Sequence, residues 1–101
     1  MKSASLSIDL QNGFANDKVH VKVNGVEVYR NNAVTTQRLL GIAGSTKMSI
    51  EDGTAEVEIE ISSRGLSWGE TVEIKGDLHL GVAVEGGGLS VFQSKTPFGY
   101  A

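Results

Sequence analysis

Apolar and polar residues alternate along most of this chain. Near its start, apolar residues occupy the even positions of residues 4–10, while serines and Asp9 occupy the odd ones. The same period of two recurs in residues 19–23 and 72–84. Because successive side chains of a β-strand point to opposite faces of its sheet, this period is typical of a strand with one buried face. The pattern therefore predicts strands through nearly all of the sequence.

A first hairpin is predicted at Asn24-Gly25, which separates two alternating segments. Both residues tolerate positive φ, as the tight two-residue turn of a hairpin requires. This turn predicts four cross-strand pairs: Val23 with Val26, Lys22 with Glu27, Val21 with Val28, and His20 with Tyr29.

A second hairpin is predicted at Asp52-Gly53 by the same reasoning. Its expected pairs are Ile50 with Ala55, Met48 with Val57, and Lys47 with Glu58. The outer face carries Glu56, Glu58 and Glu60, which we interpret as a solvated sheet face that discourages edge-to-edge aggregation. An acidic binding site is the alternative.

Two further segments leave a choice open. Residues 71–85 form either one long strand, which could bend at Gly76 and pass from one sheet to the other, or two strands that meet at residues 75–77. Residues 35–44 have a mixed period and contain two glycines, so a short strand is favoured there over a single helical turn.

Eight or nine short strands in 101 residues, with no repeat and no linker, predict one domain over residues 1–101. The predicted fold is an all-β antiparallel sandwich of two sheets, immunoglobulin-like or jelly-roll. Its inner face is expected to include Leu6, Ile8, Val21, Val28, Val57, Ile59, Ile74, Leu80 and Val82.

Charge and composition narrow the functional classes. Twelve acidic residues against nine Lys and Arg give a net charge of −3, so we expect no nucleic-acid partner. There is no cysteine, hence no disulfide framework. No apolar run approaches the ~18 residues of a membrane span, so no membrane partner is expected. The first residues lack the continuous apolar stretch of a signal peptide, and a cytoplasmic location is predicted.

Candidate chemistry is sparse. Asp77 and His79 share one face of a strand at a spacing that could seat a metal, with His20 as third ligand only if its strand is adjacent. Two solvated histidines are the favoured interpretation. The oxygen-bearing side chains of residues 9–18 match no calcium motif and indicate a plain turn. No acid, base and nucleophile converge. We therefore expect no enzyme, no cofactor and no metal.

A sugar-binding surface is a specific alternative. Trp68 is the only tryptophan, and Arg64 and Glu70 lie near it in the sequence, so the three could stack on a sugar ring and bond its hydroxyls. The favoured interpretation is that Trp68 folds inward and closes one end of the sandwich.

The C-terminal third carries the best evidence for an interaction surface. A loop at residues 85–88 pairs Val84 with Leu89 and Val82 with Val91, and it sets Gly81 opposite Phe92 on the outer face, beside Ala83. Pro97 is expected to end strand pairing near Lys95. The small apolar face should need a cover, which is either the tail or a second chain. The predicted interface residues are Gly81, Ala83, Phe92, Pro97, Phe98 and Tyr100.

Four segments carry a family resemblance: LQNGF at residues 10–14, VTTQ at 34–37, LHLGVAVEGGGL at 78–89 and the terminal PFGYA. With them the chain resembles a group of small uncharacterised bacterial all-β proteins that end in a similar Pro-Phe-Gly-Tyr tail. The resemblance implies that the tail belongs to the domain, and it implies no catalytic residue.

These observations predict a non-enzymatic protein-interaction module that self-associates or binds another protein. A carbohydrate-binding or small-ligand-binding module, with a glycan as partner, is the alternative.

Overall fold

The computed structural model describes residues 3–99, which form eight strands and one short 3-10 helix at Ser62–Arg64. The strands are β1 (Ser3–Leu10), β2 (Asp17–Val23), β3 (Val26–Val34), β4 (Gly44–Glu51), β5 (Gly53–Ile61), β6 (Leu66–Ile74), β7 (Leu78–Glu85) and β8 (Gly88–Ser94). Within these residues, no helix has the length and apolar character needed to cross a membrane.

The strands build two four-stranded sheets that pack face to face. Sheet I has the order β4-β1-β7-β8, and sheet II has the order β3-β2-β5-β6. Hairpins join β2 to β3, β5 to β6 and β7 to β8, whereas the other four connections pass from one sheet to the other. The predicted all-β, two-sheet arrangement is confirmed.

The core lies between the sheets and is built from the alternating apolar positions. Eight of the nine predicted inner-face residues are buried, and the ninth, Val28, is half-buried. Each large apolar side chain that is removed from water in this way contributes roughly 1.5–3 kcal/mol to folding. The two-residue period thus placed the core correctly.

One pair of strands departs from the predicted antiparallel arrangement. β1 and β7 run parallel, with Leu6 opposite Leu78 and Leu10 opposite Val82. Parallel neighbours need a long connection between them. Here the whole of residues 11–77 separates the two strands, and it returns the chain in the parallel direction.

The first predicted hairpin is correct near its turn and wrong further along. Val23 pairs with Val26 and Lys22 with Glu27, but the register then shifts and Val21 lies opposite Tyr29. Val28 is the extra residue of a β-bulge, an irregularity that bends an edge strand and re-aims the side chains beyond it. His20 consequently lies opposite Arg30 instead of Tyr29.

The second predicted hairpin is wrong. β4 belongs to sheet I and β5 to sheet II, so Asp52-Gly53 is a crossing between sheets. Both sides of β5 are occupied, by β2 and β6, and β4 instead covers the open side of β1. The alternation of β4 is satisfied equally well by this partner, since Met48 meets Leu6 and Ile50 meets Ala4. Glu56, Glu58 and Glu60 are exposed, as expected of an outer face.

Of the two open choices, residues 71–85 form two strands in different sheets, β6 and β7, with Gly76 at φ 72° between them. Residues 35–43 contain no strand. Instead the chain turns tightly, with the Gly41 amide donating to the Gln37 carbonyl at 2.7 Å and an isolated bridge between Gln37 and Ile42. The segment is therefore neither the favoured strand nor a helical turn, but a hydrogen-bonded turn closed by one antiparallel bridge.

Candidate functional site

The four edge strands of the sandwich differ in how they are protected against pairing with another chain. Edge strands of soluble proteins usually carry charges, bulges or inward-pointing polar residues, because their unpaired backbone groups are a template for association. β3, β4, β6 and β8 are the edges of the two sheets. Among them, β8 alone contains no charged residue: its sequence is GLSVFQS.

Each of the other three edge strands carries a charge, a bulge or an inward-pointing polar residue that hinders pairing with another chain. β3 carries the bulge at Val28 together with Glu27 and Arg30. β4 contains Lys47 and Glu51. On β6, Glu70 shares the side of the strand that faces the core, yet it is exposed, so a charge stands where an added strand would place its apolar side chains.

Phe92 is the most prominent apolar side chain of β8. It lies opposite Gly81, as the sequence predicts, and it is 51% exposed. Gly81 contributes no side chain of its own to the space across from Phe92. An exposed aromatic on a neutral edge strand is the strongest contact feature of sheet I.

The rest of the predicted apolar patch is covered within the chain. A Cβ at Gly81 would lie 2.7 Å from Nε2 of Gln11, so the Gln11 side chain covers the glycine. Ala83 is buried as well, with 2% exposure. β1 continues alongside β7, with the Gln11 amide donating to the Val82 carbonyl at 2.7 Å, and this pairing holds the Gln11 side chain over Gly81.

The segment after β8 turns away from the sheet ladder. Strand pairing ends at Ser94, which confirms the stop expected from Pro97. The Ser94 hydroxyl donates to the Thr96 carbonyl at 2.8 Å, and Lys95 Nζ donates to the Lys75 carbonyl at 2.9 Å, so the segment is anchored at the corner between β6 and β7. Pro97 is exposed and Phe98 is half-buried; Tyr100 lies outside the described residues.

Arg64, one of the three proposed sugar contacts, is held in a structural ion pair. Its Nε and Nη2 atoms lie 2.9 Å from the two carboxylate oxygens of Asp17, and Nη2 also donates to the Gly13 carbonyl. Ser63 and the Ala15 amide donate to the same carboxylate. These bonds, that of Arg64 foremost, lower the pKa of Asp17 to about 2.

This network joins the start of β2 to the 3-10 helix and closes one end of sheet II. The burial of Asp17 is not among the expectations from the sequence. Its position did carry a signal: Asp17 is in phase with the inward-facing Val19, Val21 and Val23, and a carboxylate at such a position must find a partner.

Trp68 and Glu70 lie within β6, not in a loop. Trp68 is half-buried and packs against the core, in agreement with the favoured inward orientation. Glu70 is exposed at the edge of the sheet. Since Arg64 is engaged with Asp17, the structure does not bring the three residues together as one sugar-binding set.

A polar cleft of about 570 Å³ lies over the outer face of sheet II. Lys22 and Arg30 line it together with Glu58 and Glu60, and Gly69 leaves its floor open beside Glu58. Glu27, a further lining residue, accepts from Arg30 Nε at 2.8 Å. The cleft therefore presents both donors and acceptors.

The histidines do not form a metal site. His20 is on β2 of sheet II and His79 is on β7 of sheet I, so the adjacency that a shared ligand set requires is missing. Nδ1 of His20 lies 3.3 Å from Glu27. The pKa of Asp77 is lowered by hydrogen bonding to Ser5, first from the Ser5 side chain and then from the Ser5 amide. Within residues 3–99, no three His, Cys, Asp or Glu side chains are arranged to hold a metal ion.

No protein-family model matches the sequence, and the curated proteins include no match to it. The resemblance to small bacterial proteins with a Pro-Phe-Gly-Tyr tail stays a prediction.

Proposed function

We propose that this protein is a non-enzymatic protein-interaction module that contacts other polypeptides through the β8 edge. The observation that carries the proposal is the contrast between β8 and the other three edges: β8 has no charge and presents the aromatic Phe92 to solvent, whereas β3, which exposes Val26, carries Glu27 and Arg30. A free strand edge binds an added strand through main-chain hydrogen bonds, and side-chain contacts then select the partner.

The energetics favour Phe92 as the side chain that strengthens such a contact. Full burial of a large apolar side chain is worth roughly 1.5–3 kcal/mol. About half of the Phe92 surface is still exposed, so a partner would gain roughly 1 kcal/mol from this residue alone. Main-chain bonds exchanged with water add modest amounts, about 0.5–1.5 kcal/mol each.

The chemistry of the remaining polar groups supports a binding role over a catalytic one. Asp17 and Arg64, the ion pair with the lowest exposure, hold one another in place and join two elements of the fold. Glu27 is shared between Arg30 and His20 on the outer face. Ser63, the hydroxyl beside the Asp17–Arg64 pair, donates to the Asp17 carboxylate and so takes part in the same structural network.

The finer fold class is part of the same proposal. Four of the seven connections cross between two face-to-face sheets, which is compatible with the immunoglobulin-like and jelly-roll kinds of sandwich. We infer that the domain is a variant of one of these classes, with the interaction edge at the end of sheet I.

The proposal is tested with a labelled peptide of the β8 sequence, GLSVFQS, flanked by lysines for solubility. Fluorescence anisotropy should show saturable binding with a Kd between about 10 μM and 1 mM, the range of a small, transient contact. The matched control, GLSPFQS, lacks the central amide donor and should bind more weakly. Equal binding of the two peptides, or none from the first, would contradict the proposal.

A carbohydrate or small ligand in the polar cleft is a second candidate. Its supporting observation is the size of the cleft, about 570 Å³, which falls within the ~300–1,000 Å³ of small-molecule sites. Carboxylates and cationic side chains around it could bond the hydroxyls of a sugar. Trp68 also borders the cleft and provides a single-tryptophan reporter.

The test is a titration of tryptophan fluorescence with glucose, galactose and N-acetylglucosamine. A saturable change that is lost in Glu58→Gln, with Glu51→Gln on β4 as control, would support the cleft as a site. An unchanged spectrum with all three sugars would count against it.

A further inference from the structure

The hydrogen bonds that β7 makes with its two neighbours show which backbone groups of β8 point to the free edge. Val82 and Val84 of β7 direct backbone groups to β1, through the bonds Gln11 N to Val82 O and Val84 N to Asn12 O. Groups of alternate residues in a strand point to opposite sides, so Gly81 and Ala83 bond β8. Their partners are Phe92 and Ser90.

The remaining residues of β8 therefore point their amides and carbonyls outward: these are Leu89, Val91 and Gln93. The β7–β8 turn agrees with this assignment. Gly86 and Gly87 both have positive φ, at 56° and 81°, as in the two-residue hairpin turn whose flanking pair, here Glu85 and Gly88, is hydrogen-bonded. Every second residue from Gly88 onwards bonds β7. The backbone groups of the residues between them, Leu89, Val91 and Gln93, therefore point to the free edge.

The charges at the two ends of β8 are complementary to those of a second copy in one orientation. Glu85 stands before the strand and Lys95 after it. Antiparallel pairing of two β8 strands brings the acidic end of one chain towards the basic end of the other. Parallel pairing would place like charges side by side, which is destabilising. The strand itself, being neutral, adds no repulsion.

The side chains also match in the antiparallel orientation. With a twofold axis at Val91, Val91 faces its own copy on the inner side, where both are half-buried and apolar. On the outer side Phe92 faces the small Ser90 of the other copy. The two Phe92 rings then become diagonal neighbours, a separation that aromatic side chains can bridge.

We propose that the partner of the β8 edge is a second copy of this chain, paired antiparallel about a twofold axis at Val91. This inference rests on the proposed function and names its partner and register. The dimer joins two copies of sheet I into one continuous eight-stranded sheet. Three residue pairs, Val91 with Val91 and Leu89 with Gln93 twice, exchange two hydrogen bonds each.

The register is tested by disulfide trapping, which is clean because the chain has no cysteine. One chain carries Ser90→Cys and the other Phe92→Cys. In the proposed dimer these positions form a non-hydrogen-bonded pair, whose Cα separation of about 4.5 Å suits a disulfide. The mixture should yield a cross-linked heterodimer under mild oxidation.

Two control samples and the β8 peptide separate the possible outcomes. The Ser90→Cys chain alone should not cross-link, because the two cysteines at position 90 would be diagonal neighbours in the dimer and not opposite each other. A mixture of Ser49→Cys with Phe92→Cys should not cross-link either. Cross-linking of Ser90→Cys alone at the level of the mixture, or no cross-link in the mixture, overturns the register. If the labelled β8 peptide still binds in that case, the edge function stands and only the twofold dimer fails; if the peptide does not bind, both fail.

Discussion

Gly81 and Phe92 lie directly opposite each other on β7 and β8, and the side-chain amide of Gln11 covers the glycine. The relationship leaves Phe92 with one open flank, towards the free edge of the sheet. Gly81 and Gly13 are expected to respond differently to substitution by alanine.

Gly81→Ala is expected to cost less than about 1 kcal/mol, because its new methyl group meets only the far end of the flexible Gln11 side chain. Gly13→Ala should be severe, costing several kcal/mol or preventing folding. Gly13 has φ 91°, and a Cβ there would collide with the Val84 carbonyl oxygen. Urea denaturation of both variants measures the difference. Equal losses would show that Gln11 cannot move aside.

The ion pair of Asp17 predicts a pH dependence. Arg64 lowers the folded-state pKa of Asp17 from 3.8 to about 2, and the side chain is 3% exposed. Because the pKa of Asp17 is lower in the folded than in the unfolded state, the ionised carboxylate stabilises the fold at pH values above the unfolded-state pKa. This contribution is lost as the pH falls from about 4 to about 2. At neutral pH the shift corresponds to roughly 2 kcal/mol.

Asp17→Asn should therefore lower the free energy of unfolding at pH 7 by about 2 kcal/mol or more, and the difference from wild type should shrink towards pH 2. Denaturation curves at several pH values test this. Glu56→Gln, at an exposed position, is the control and should change little. A difference that does not depend on pH would contradict the role of the ion pair.

The β-bulge at Val28 predicts an energetic coupling between the two sheets. It turns Tyr29 towards sheet I, where a Cβ at Gly44 would lie 2.8 Å from the Tyr29 hydroxyl. Gly44→Ala should cost about 1–3 kcal/mol in the wild type and less in a Tyr29→Phe background. A double-mutant cycle by chemical denaturation measures this coupling. Additive effects would place Tyr29 away from Gly44.

The turns at Asn24-Gly25 and Asp52-Gly53 show how far the sequence could predict the fold. Both follow the same turn rule, yet the first closes a hairpin and the second crosses between sheets. Alternation reveals that one face of β4 is buried, but it does not reveal whether β5 or β1 provides the neighbouring strand. The bulge at Val28 leaves no mark in the alternation either, because both Val28 and Tyr29 can pack against the core.

The part of the candidate site that depends on residues close together in the sequence could be predicted. The pairing of Gly81 with Phe92 follows from a short loop, and it is correct. The cover of Gly81 by Gln11 was not predictable, since it depends on a parallel pairing between strands far apart in the sequence. The neutrality of β8 is visible in the sequence, but its importance appears only once the strand order places β8 at an edge.

We propose that β8 is an edge that pairs with another chain, and sedimentation velocity over a concentration series tests this proposal. From about 10 μM to 1 mM, the wild-type chain should shift from its monomer mass of 10.7 kDa towards twice that value. Phe92→Lys places a charge on the edge, and Val91→Pro removes an outward amide without touching the ladder to β7; both should stay monomeric. Thr71→Lys, on the already charged β6 edge, should behave as wild type. A wild-type chain that remains monomeric throughout, or a Phe92→Lys variant that associates as the wild type does, would contradict the account.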